Sequence, residues 1–110
     1  MAPERRSYSK PIVLPVALDL LVGPVSGVVW LPRHLDWSGH AEYDLDRPGR
    51  IVDFYRAVIN EAGQSTDLHT YLNESALKRL WSYMWLPQPT RRAWEAKFVD
   101  LAELSRLASA

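Results

Sequence analysis

His34, Asp36, His40, Glu42, Asp44 and Asp46 crowd into one short stretch of the chain. Imidazole and carboxylate groups are the ligand types that hold zinc, manganese or iron, and neighbouring pairs of them can share a proton. A metal-dependent enzyme is therefore one reading of this cluster. The spacing argues against it, because no two histidines stand at i, i+4 on a helix and no EF-hand glycine and terminal glutamate follow. We read a solvated acidic loop instead, and assign no catalytic residue, no metal ligand and no cofactor. If alternate residues lie on a strand, Glu42, Asp44 and Asp46 share one face that attracts cations or a basic partner.

Other reaction chemistries find less support. Ser26 and Ser38 lie outside any G-x-S-x-G elbow, although His34 and His40 flank Ser38 in sequence. Gly23 and Gly27 are isolated, and no Lys-Ser or Lys-Thr follows them to cradle a phosphate. The chain has no cysteine, which excludes disulfides, thiolate metal sites and a cysteine nucleophile and suits a cytoplasmic location. Thirteen basic residues balance thirteen acidic ones, so net charge gives no pull towards nucleic acid or an anionic membrane.

Binding chemistry is better represented. The block from Leu77 to Trp94 holds three of the five tryptophans beside Lys78, Arg79, Arg91 and Arg92. Trp85 follows Met84 and cannot share its inward direction, so with Arg91 and Arg92 it offers the Trp-Arg pairing enriched at protein interfaces. Partner binding through Trp85, Arg91 and Arg92 is the preferred reading. The alternative is a DNA-binding regulator whose helix over 73–84 sets Lys78 and Arg79 on phosphate.

These groups need elements to position them. A length of 110 residues with 47% apolar content predicts one globular domain over 10–110, after a polar, disordered tail over 1–9. The apolar run from Pro11 to Leu31 is broken by Pro15, Gly23, Pro24 and Gly27 and carries Asp19, so neither a signal segment nor a membrane span is expected. It reads as a β-hairpin, Ile12 to Val22 against Val25 to Leu31, turning at Gly23-Pro24. An uncovered edge of that hairpin would offer a route to a homodimer.

A loop follows from Pro32, with an extended piece near Ala41 to Leu45. Asp46 then caps a helix whose stripe is Ile51, Phe54, Tyr55, Val58, Ile59 and Ala62, closed by a left-handed Gly63. Ser65 or Thr66 caps a brief helix through Leu72, and Asn73 caps another carrying Leu77, Leu80, Trp81 and Met84. After Pro87 and Pro89 one helix runs from Thr90 to Leu107. The expectation is an α+β fold, an N-terminal β-hairpin on three to four helices, with Trp81 and Trp94 in the core.

The succession VVWLPRHLDWS, YDLDRPGRIVDFYRAVINEAG, DLHTYLNESALKRLW and LP-x-P-x-RRAWE, over about 28–95, resembles a family of short, mostly uncharacterised bacterial proteins. Their genes are associated with those of nucleotidyltransferase-like toxins of the abortive-infection type. The resemblance implies a regulatory or antitoxin-like module, not an enzyme, with a toxin-like nucleotidyltransferase as its protein partner. It supplies no catalytic residue.

Overall fold

Phe54, Tyr55, Val58 and Ile59 recur on one side of α1 (Arg50–Glu61), and all four are buried, as the helical spacing requires. The computed structural model describes residues 11–39 and 41–109; the tail assigned to 1–9 lies outside the described residues. The remaining elements are β1 (Val28–Trp30), β2 (Glu42–Asp44), α2 (Ser65–Tyr71), α3 (Glu74–Leu80), α4 (Gln88–Lys97) and α5 (Val99–Ser109). The architecture is α+β, among the described residues an antiparallel pair of strands preceding five α-helices.

The strands are not those expected from the apolar run. Val28, Val29 and Trp30 pair with Asp44, Tyr43 and Glu42, so the partner strand comes from the extended piece after the loop. Ile12 to Val22 forms no ladder strand: Leu18–Leu20 is one 3₁₀ turn, and Val22 makes an isolated bridge to Asn73. Apolar β-branched residues suit a strand wherever a neighbour supplies hydrogen bonds, and here the neighbour is the junction of α2 and α3. Val22 N–H donates to His69 C=O at 3.1 Å, and Gly23 N–H to Leu72 C=O at 2.7 Å.

Helix ends also depart from the capping signals. Asp46 does not cap α1; its carboxylate accepts the Gly27 N–H at 3.2 Å and locks the hairpin end, while Gly49 at φ 81° opens the helix. Gly63 is not left-handed. The helix ends because Ala62 turns out of helical geometry, and Gly63 N–H donates to the Asp67 carboxylate at 3.0 Å. Gln64, not Ser65 or Thr66, opens α2 in a reciprocal capping box with Asp67. Asn73 does cap α3, accepting the Ala76 N–H at 3.1 Å.

The long C-terminal helix divides at Phe98. Its extended backbone (φ −118°, ψ 99°) ends α4 and lets its carbonyl accept the first amides of α5. The bend holds the Phe98 ring 6.1 Å from Trp94 and lets α5 fold back so that Leu101 is buried. Trp81 and Trp94 are both fully buried, with ring centroids 5.8 Å apart, and form the centre of the helical core. A second aromatic group joins Tyr43 of β2 to Phe54 of α1 edge-on at 5.4 Å. Among the described residues no helix is long and apolar enough to cross a membrane.

Candidate functional site

The acidic stretch is dispersed by its own hydrogen bonds. His34 Nε2 lies 2.9 Å from the buried Asp67 carboxylate, tying the loop to α2. Asp36 accepts the Ser38 N–H and hydroxyl at 3.0 and 2.7 Å and the Tyr43 hydroxyl. Glu42 and Asp44 alternate with the buried Tyr43 and lie on the outer face of the hairpin, but Asp46 is beyond the strand and does not share it. His40 lies outside the described residues. Among the described residues no three His, Asp or Glu side chains converge to hold a metal.

The basic block separates just as clearly. Lys78 lies 3.0 Å from Glu74 and 3.3 Å from Asp100, so one member of the Lys78–Arg79 pair is already engaged by carboxylates. Arg91 turns into the fold. Its guanidinium reaches the carbonyls of Trp81 and Met84, the Glu95 carboxylate and the Ser105 hydroxyl, and stacks over the Trp81 ring at 4.7 Å. Its assignment to a partner surface is corrected on that ground: a side chain only 23% exposed with those contacts holds α4 in place. Arg92, one position on, is exposed.

Trp85 stands in solvent at 68% exposure, in the connection between α3 and the α4 start that Pro87 opens. Its ring does have a neighbour. The Arg56 guanidinium of α1 lies over it at 5.7 Å. Arg56 also lines a groove of about 520 Å³ between α1 and the turn that carries Leu35 to Ser38. Asp53, Arg56, Ala57, Asn60 and Glu61 form the α1 wall, at the i, i+3, i+4 spacing of one helix face. Tyr43 lines the groove from β2, and Trp37, 73% exposed, stands at its rim.

Asp36 and Tyr43 of this groove are coupled by their hydrogen bond. Hydrogen bonds from Tyr43 and then Ser38 hold the Asp36 carboxyl below the usual carboxylate range, so it is charged at neutral pH. Burial, reinforced by the Asp36 carboxylate, pushes the Tyr43 phenol up to about 12 and keeps it a donor. Arg50 lies over the other side of the system, its guanidinium 3.9 Å from the Tyr43 ring centroid. The arrangement can bind through stacking and charge.

The sequence names Trp85 as a candidate and singles out neither Arg56 nor Trp37. Arg56 sits on the polar side of an amphipathic helix, where nothing in its spacing separates a site residue from a solvated one. No protein-family model, curated protein or solved structure matches the chain.

Proposed function

We propose that this chain is a non-enzymatic, antitoxin-like regulatory module that binds a protein partner through the surface formed by Trp37, Arg56 and Trp85. The single observation that supports it is that Arg56 lies over the exposed Trp85 ring and lines the same groove as the exposed Trp37. Tryptophan and arginine dominate the energetic centres of protein interfaces, and a ring exposed in the free chain gains most when a partner removes it from water. The partner that the family resemblance suggests is a toxin-like nucleotidyltransferase.

A tagged pull-down from the native host, with a nuclease-treated arm, tests the reading. The expected result is one stoichiometric protein that survives nuclease and is lost from Trp85→Ala and Trp37→Ala baits of unchanged melting temperature. Capture that depends on nucleic acid, or that is indifferent to both substitutions, would overturn it.

A further inference from the structure

The hairpin leaves one of its edges bare. Leu45 N–H donates to Gly27 C=O at 2.8 Å and Leu31 N–H to Ala41 C=O at 3.0 Å, so by antiparallel alternation Val29 and Tyr43 form the hydrogen-bonded pair between them. Val28 and Trp30 therefore point their own N–H and C=O groups away from β2. Among the described residues those groups meet no partner. On the opposite edge the carbonyls are taken: Glu42 C=O accepts from the Arg50 guanidinium at 2.8 Å, and Asp44 C=O from the Arg47 N–H at 3.1 Å. Edge strands are ordinarily blunted by charge, proline or a bulge. β1 has none of the three, and its outward side chains, Val28 and Trp30, are 54% and 65% exposed.

We propose that β1 pairs antiparallel with β1 of a second copy of this chain, about a two-fold axis through Val29, and joins the two hairpins into one sheet. The axis sets Val28 opposite the partner's Trp30, and that pair exchanges the N–H and C=O groups left open in the single chain. It also brings the exposed indole against a β-branched side chain, a cross-strand combination that stabilises sheets. Self-pairing suits this strand because it carries no charge to oppose its own copy. The same operation on β2 would set Glu42 against the partner's Asp44, like charge against like. A two-fold contact closes on itself, so association stops at the dimer. Trp37, Arg56 and Trp85 lie in other segments, and the surface they form is independent of this contact.

Sedimentation velocity of the whole chain over a concentration series tests the pairing. The native chain should pass from monomer to dimer as concentration rises. Val28→Lys combined with Trp30→Lys sets like charges opposite each other across the axis and should weaken association roughly tenfold or more, with circular dichroism showing that the variant keeps its fold. The cysteine-free sequence allows a second readout. In the proposed register Val29 lies opposite the partner's Val29 in a non-hydrogen-bonded pair, with Cα atoms about 4.5 Å apart and within disulfide reach. Val29→Cys should therefore oxidise to a covalent dimer more readily than Trp30→Cys, where the thiol is more exposed but offset from its own copy. A native chain that stays monomeric throughout the series would overturn the proposal. So would a dimer indifferent to the paired lysines, or cross-linking of Trp30→Cys as ready as that of Val29→Cys.

Discussion

The indole N–H of Trp81 donates to the Glu95 carboxylate at 2.8 Å, and Arg91 closes over the pair from the same helix as Glu95. Ser105 of α5 donates to the same carboxylate, so one acceptor ties the end of α3 to α4 and α5. Arg91→Ala removes the ion pair and leaves the Trp81 and Met84 carbonyls without their guanidinium donor. It should cost about 2–3 kcal/mol in chemical denaturation. Arg92→Ala, on an exposed side chain, should stay within about 0.5 kcal/mol. Equal effects would refute the division of the two arginines.

The five tryptophans should fall into two classes. Trp81→Ala and Trp94→Ala empty fully buried sites and should each cost about 3–5 kcal/mol, whereas Trp30, Trp37 and Trp85→Ala should each cost less than about 1 kcal/mol. The buried pair also differs internally. The Trp94 Nε1 is buried without a hydrogen-bond partner, so Trp94→Phe should cost about 1 kcal/mol less than Trp81→Phe, which loses the bond to Glu95. Urea midpoints of the two Phe variants decide it.

Gly23 and Gly63 should respond to alanine with opposite signs. A Cβ on Gly23 would lie 2.4 Å from the Tyr71 carbonyl carbon and 2.8 Å from the Leu72 nitrogen, and this backbone is held there by the Gly23–Leu72 hydrogen bond. Gly23→Ala should therefore lose about 1–3 kcal/mol. A Cβ on Gly63 meets nothing within 4 Å, and its φ is not positive, so Gly63→Ala should be neutral or stabilising by up to about 1 kcal/mol. Thermal melts of the two variants suffice.

Acid should weaken the fold through Asp67. Burial alone would raise this carboxyl, but hydrogen bonds from His34 and from the amides of Gly63 and Gln64 outweigh it and leave the group below its ordinary value. A lowered carboxylate contributes fully above its unfolded value of about 3.9, and the contribution is lost as the pH falls through the lower folded value. Asp67→Asn should cost about 1–3 kcal/mol at pH 7 and flatten the acid limb of stability against pH. A limb of unchanged steepness would place the acid sensitivity in other carboxylates.

Local patterning was legible wherever a helix had one apolar face. The stripe on α1, the Asn73 cap and the burial of Trp81 and Trp94 follow from spacing, because helical period alone sets which residues share a side. The partner of a strand does not follow from its own residues. Val28 to Trp30 is β-compatible beside either flanking segment, and the choice of Glu42 to Asp44 over Ile12 to Val22 was made where α2 and α3 supplied other hydrogen bonds for Val22 and Gly23. Nor did the division at Phe98 show in the pattern, since Phe98, Leu101 and Leu104 keep helical spacing across it.

By itself, then, the sequence determined the class of fold, the two tryptophans at its centre and the absence of any thiol chemistry, all of which depend on composition and local period. Only the tertiary structure decided the candidate site. Trp37, Arg56 and Trp85 are far apart in the chain and come together through the packing of a loop, α1 and the α3–α4 connection. Tertiary structure likewise took Arg91 from the surface into the fold, because a long cationic side chain goes wherever acceptors lie within reach, and here those were the carbonyls left open at the end of α3.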